Sequence, residues 1–200
     1  MHKNINLIDT HAHLDFPQIY PRLSEVVKNA KLNNVKTMVC ISTNLSKIDQ
    51  IIKITDNYKN IYFSVGVHPN EVENDKDYLN YDLINNISLH KKCVGIGEGG
   101  LDYHYSVDKN KQRKSFITQI NVAQKTGLPL IIHSRDADHD MIDILKTEFK
   151  NCNFNAILHC FSSGEKLARC GLDLNFFISF SGIVTFNSAT KLHEIVKFVP

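Results

Sequence analysis

Seven times along this chain an apolar, β-branched run gives way to a stretch of helical period. That alternation limits the fold more than any other feature. Near-continuous apolar strands separated by helices form a parallel sheet with helices packed against it. The expected strands are residues 7–11, 37–42, 61–67, 94–97, 130–132, 156–158 and 176–180. The first is expected to be buried. Helical spacing is plainest at Leu23, Val26, Val27 and Ala30, and at Phe116, Ile120 and Ala123, where Gly127 and Pro129 supply the stop. At 200 residues the chain has the size of one domain. It shows no linker, low-complexity segment or internal repeat, so residues 1–200 are expected to form a single domain.

A closed (β/α) barrel and an open doubly wound sheet both fit the alternation. The distribution of histidines favours the barrel. His11, His13, Glu98, His133 and His159 each lie at or just past the carboxyl end of an expected strand. They come from strands one, four, five and six, and a barrel brings many strand ends to one mouth, whereas an open sheet focuses ligands at one switch point. His11 and His13, two apart on a strand, aim their imidazoles at one spot. Four imidazoles and one carboxylate suit one divalent ion or two. Two ions need a bridging anion, and Glu98 is the only carboxylate in the set.

Other residues have a functional and a plain reading. His68, before Pro69, could donate to a substrate phosphate or be a turn histidine. Arg135 could bind phosphate bidentately or pair with Asp136 or Asp138. Asp9 could orient an imidazole or bond within the barrel. Asp102 and Tyr103 shape the mouth without an assigned chemical step. Lys109, Lys111, Arg113 and Lys114 read first as a solvated helix face and second as a contact to a nucleic-acid backbone. Cys160, next to His159, is expected to face away from the site as a small buried side chain. Gly95-Ile96-Gly97-Glu98-Gly99-Gly100 matches a dinucleotide fingerprint formally, but it falls on the fourth strand with no helix opening directly after it. Its glycines are better read as leaving room around Glu98.

The formal net charge of +2 predicts no strong field over the whole surface. No apolar run is long enough for a membrane span, and Met1-His2-Lys3-Asn4 carries no apolar signal region. Five cysteines without a CxxC pair suit reduced thiols and a cytoplasmic location.

Several motifs together resemble the TatD family of metal-dependent deoxyribonucleases. They are the segment Asp9 to Asp15, Gly66-Val67-His68-Pro69, Gly97 to Tyr103, His133-Ser134-Arg135-Asp136-Ala137, Leu158-His159-Cys160-Phe161 and Ile178 to Phe186. The resemblance implies a TIM-type (β/α) barrel of the metal-dependent hydrolase superfamily with two divalent ions (Mg, Mn or Zn) at its mouth. It implies His11 and His13 on one ion, His133 and His159 on the other, and Glu98 bridging both. The implied substrate is DNA, cut at phosphodiester bonds by a two-metal, water-activating mechanism. The family pattern continues into an eighth strand ending Glu-Thr-Asp-Ser-Pro, whose aspartate joins the first ion. This sequence stops at Pro200 with seven β–α units, roughly 50 residues short of a usual barrel of about 250. The expectation is therefore a C-terminally incomplete barrel. Its impaired first site would sit beside a seam open to self-association, where the full-length family is monomeric. Two rival functions remain at this stage: hydrolysis of small amides, esters or lactones on the same barrel, and a catalytically impaired remnant.

Overall fold

The computed structural model describes residues 5–200, and the Met1 to Asn4 segment lies outside them. Seven strands alternate with seven helices. They are β1 (Leu7–Ala12), α1 (Leu23–Leu32), β2 (Val35–Cys40), α2 (Ile48–Asn57), β3 (Ile61–Val65), α3 (Tyr81–Ser88), β4 (Cys93–Asp102), α4 (Lys109–Thr126), β5 (Leu130–Arg135), α5 (Asp138–Asn151), β6 (Ala156–Leu158), α6 (Glu165–Asp173), β7 (Phe177–Ile178) and α7 (Thr190–Phe198). The strands form one parallel sheet in the order of the sequence, β1 to β7. Simple sequential order with a helix in every crossover curls the sheet into part of a TIM-type barrel. The core lies between sheet and helices, around Phe63, Ile96, Leu101, Phe116, Leu130 and Ile132, all fully buried. Among the described residues, no helix is long and apolar enough to cross a membrane.

Three strands depart from expectation. Burial of β1 is not observed: Leu7 is 50% exposed and Ile8 61%. The cause is its place at one edge of the sheet, where only β2 covers it. At the opposite edge β7 shrinks to two residues, and Phe177 is 76% exposed. By contrast β4 is longer than its apolar run suggests and carries Glu98 in its interior rather than at its end. Its pairing with β5 slips between Ile96 and Gly99, so one extra residue is accommodated at Glu98.

Helix α4 fixes the centre of the sheet. Asp108 caps it by accepting from the N–H groups of Asn110 (2.8 Å) and Lys111 (3.1 Å). Gly127 ends it in the left-handed conformation, its N–H bonded to Ala123. The inward face carries Phe116, Ile120 and Ala123 as expected, and also two buried amides that apolar periodicity does not reveal. The Val67 N–H donates to Gln119 Oε1 at 3.1 Å, and Gln119 Nε2 donates to the Val67 carbonyl at 2.9 Å. Two helical turns earlier, Gln112 does the same at Asp102, at 2.8 and 2.9 Å. Each amide thus stands in for a neighbouring strand where the ladder leaves off.

Candidate metal centre

The carboxyl ends of the strands meet at a cavity of about 440 Å³ lined by His11, His13, His68, Glu98, His133 and His159 among others. Glu98 lies at its centre, only 4% exposed. Its two oxygens face different histidines. Oε2 is 3.2 Å from His11 Nε2, and Oε1 is 3.2 Å from His133 Nδ1. Two groups of ligand-type atoms close within 4.8 Å: His11, His13 and Glu98 on one side, and His68, Glu98 and His133 on the other. Glu98 belongs to both. His159 reaches the same cavity but falls outside both groups, with its ring stacked on His11 at 3.4 Å between centroids.

The protonation states suit cation binding. Burial pushes the Glu98 carboxyl up, but hydrogen bonds from His11 and His133 and the charge of His68 outweigh it and hold the group well below the usual range. Burial lowers His68 to about 4. Burial, then the neighbouring His11, lowers His159 to about 4 and lowers His13 as well. Neutral imidazoles offer a lone pair, and an ionised carboxylate offers two oxygens. His133 is opposite: burial lowers it, but the hydrogen bond and charge of Glu98 and the charge of Asp102 raise it further. Nitrogen and carboxylate donors around a shared, bridging carboxylate fit a pair of divalent ions.

The remaining candidates sort clearly. His68 lines the cavity, and its Nδ1 accepts the Asn70 N–H at 3.2 Å. Arg135 does not join the histidines. It lines a separate cavity and stacks 5.5 Å from the centre of the Tyr105 ring. The expected alternative pairing with Asp136 or Asp138 is absent too, because Asp136 pairs with His104 at 3.1 Å and Asp138 accepts from the Gly164 N–H. Asp9 touches no imidazole; its carboxylate accepts the His11 backbone N–H at 3.1 Å. The basic run is mostly a surface face, with Arg113 bonded to Asp140 and Lys109 over the Tyr103 ring.

Cys160 is a correction. Rather than facing away, it lines the cavity, with Sγ 2.8 Å from Ser181 Oγ. A positive φ of 45° at Cys160 breaks strand alternation one residue past His159. Asp102, expected to shape the mouth without a chemical step, has a closer tie to the site than that. It lies 3.1 Å from His133 Nε2 and is 1% exposed. The available signal was alternation: positions 98, 100 and 102 share one face of a strand.

Comparisons with known proteins agree with this architecture. The metal-dependent hydrolase YabD of Bacillus subtilis is 39% identical over 197 residues, which are 97% of this chain and 76% of that protein. The metal-dependent hydrolase YcfH of Escherichia coli K12 is 34% identical over 198 residues, 97% of this chain and 73% of that protein. The chain thus spans about three quarters of the length of these relatives. Among solved structures, the TatD homologue YJJV of Escherichia coli superposes with a TM-score of 0.88 at 24% identity, over 99% of this chain and 76% of that one. The family described as TatD related DNase matches residues 8–200. With its half-barrel and its histidine-lined mouth, the chain belongs to the TatD-related DNase family of metal-dependent hydrolases.

Proposed function

We propose that this chain hydrolyses phosphodiester bonds of DNA at a two-ion centre. The observation that carries the proposal is the placement of Glu98, whose two oxygens each face one histidine of a separate cluster. His11 and His13 with Glu98 would hold one ion, and His133 with Glu98 the other. His159, stacked on His11 at the same mouth, would complete the second set by swinging its ring off its neighbour. The bound ions, of Mg, Mn or Zn, would supply positive charge at the reacting phosphate and lower the pKa of water.

The chain's own groups would do the rest. The Glu98 carboxylate stays ionised and keeps the two halves of the site in register. The bond from the Asn70 N–H to His68 Nδ1 leaves the ring's remaining proton on Nε2. With its Nδ1 lone pair taken by Asn70 and its ring kept neutral by burial, His68 would act as a hydrogen-bond donor to a non-bridging phosphate oxygen rather than as a metal ligand. Arg135, outside the metal cavity, would meet a phosphate further along the strand. In the net reaction water forms a bond to phosphorus, one P–O ester bond breaks, and the leaving oxygen takes a proton.

The test is cleavage of a short labelled DNA strand by the purified chain with Mg, Mn or Zn, with and without chelator, beside Glu98→Gln. Metal-dependent DNA products that vanish in Glu98→Gln support the proposal. Metal-dependent hydrolysis of small esters, amides or lactones with no DNA product would replace it with the rival substrate class. Absence of metal uptake would overturn the two-ion centre itself.

A further inference from the structure

His133 sits between two carboxylates. Its Nδ1 is 3.2 Å from Glu98 Oε1 and its Nε2 is 3.1 Å from Asp102 Oδ2. Asp102 is not free to serve as a ligand. Its Oδ1 accepts the His104 N–H at 3.1 Å, and its Oδ2 accepts from Asn70 Nδ2 at 3.1 Å as well as facing His133. Its backbone is held at both ends by the Gln112 amide. Asn70 turns its donor to Asp102 although this leaves its own buried Oδ1 without a partner among the described residues. The surroundings thus hold the Asp102 carboxylate in place purely as an acceptor.

A neutral imidazole has one N–H and one lone pair. Glu98 and Asp102 can both only accept, so without an ion each ring nitrogen of His133 faces an acceptor. An ion shared with Glu98 would take the Nδ1 lone pair in place of that proton, and the one remaining N–H then belongs on Nε2, facing Asp102. We infer that Asp102 is a positioning residue: it holds His133 in the tautomer whose Nδ1 lone pair points at Glu98, so His133 binds its ion through Nδ1. This inference rests on the proposal that Glu98 and His133 hold an ion. Carboxylates behind a ligating histidine commonly fix its tautomer and orientation, and their loss weakens metal binding by roughly 10–100-fold.

The experiment uses zinc as the probe. Nitrogen-15 spectra of the zinc-loaded wild-type chain should show His133 protonated at Nε2 and coordinated at Nδ1. Zinc affinities, measured by competition with a chromogenic chelator, should fall by about 10–100-fold for one of the two ions in Asp102→Ala. Asp102→Asn should lose less, because its amide oxygen can still accept from Nε2–H. The ion at His11 and His13 should keep its affinity in both variants. Coordination of wild-type His133 through Nε2 overturns the inference, and that spectrum needs no variant to fold. Unchanged affinities in folded Asp102→Ala overturn it as well, while leaving the two-ion centre standing. A wild-type chain that takes up no zinc overturns both.

Discussion

Gly100 is the position where a single methyl should be felt in both stability and metal binding. It has a φ of 145°, and a Cβ there would lie 2.0 Å from the His133 carbonyl oxygen, 2.9 Å from its carbonyl carbon and 3.0 Å from its nitrogen. All three atoms are backbone, so no side chain can rotate away. Relief requires β4 and β5 to part where Gly100 pairs with His133. Strain from the backbone conformation costs about 1–3 kcal/mol, and overpacking adds about 1–3 kcal/mol. Gly100→Ala should therefore lose about 2–6 kcal/mol, a large share of a typical 5–15 kcal/mol. At roughly 2–4 °C per kcal/mol for a chain of this size, melting should fall by about 5–20 °C. The measurement is thermal unfolding in chelator, so that metal does not mask the loss. Two internal controls set the scale. Gly127 has a φ of 72° with nothing near its Cβ position, so Gly127→Ala should cost only the conformational term. Gly182 has neither a positive φ nor a neighbour, so Gly182→Ala should be silent. Displacing His133 should also weaken zinc uptake in Gly100→Ala alone. Equal melting temperatures for Gly100→Ala and Gly182→Ala would refute the reasoning.

Acid should destabilise the metal-free chain. His68 and His159 titrate near 4 in the folded state against about 6.5 unfolded. The unfolded chain therefore binds protons first, and stability falls as the pH drops from about 6.5 to 4. His133, raised when folded, opposes this on one group. Urea midpoints that stay level or rise toward pH 4.5 would contradict the assignment. His68→Gln should lower kcat/KM on DNA by about 10²-fold or more if its Nε2–H meets the reacting phosphate; a change in melting temperature without a rate change would leave it only a structural role. At the sheet edges Ile8 and Phe177 are exposed apolar side chains on strands paired along one side only. The chain should self-associate in light scattering, and Ile8→Lys with Phe177→Lys should reduce this; a monomeric parent would count against the seam.

The fold was legible because apolar runs and helical spacing are strong local signals, and all seven strands fall where those runs lie. An open seam was expected too, but the exposure of Leu7 and Ile8 on its first strand was not, because exposure depends on which strands pair, and pairing is not written in any one run. The histidines of the site were legible from their common place at strand ends. Asp102 and Cys160 were harder for opposite reasons. Asp102 sits at the far end of a strand whose glycines hide its extent. Cys160 follows a turn in an unusual backbone conformation, where alternation no longer predicts direction. Arg135 lies two residues past His133 yet opens on another cavity, since the ring of Tyr105 holds its guanidinium there.

The paired amides of α4 carry a consequence for how this mouth can vary. Val67 precedes His68, and Asp102 is itself a partner of His133, so two helix side chains set the height of two groups at the mouth. Each clamp needs one donor and one acceptor at fixed reach, a requirement that glutamate, leucine and asparagine all fail through charge, polarity or length. The glycines opposite are tied to the same geometry, because a Cβ on Gly66 or Gly99 would come within 2.2 or 2.6 Å of the Gln119 oxygen. Residues 66, 99 and 119 are therefore expected to change only together, as are the side chain at 112 and the strand position at 102 that it clamps. The outer ring of helices, usually the part of such a fold free to drift, is here answerable to the chemistry on the other side of the sheet.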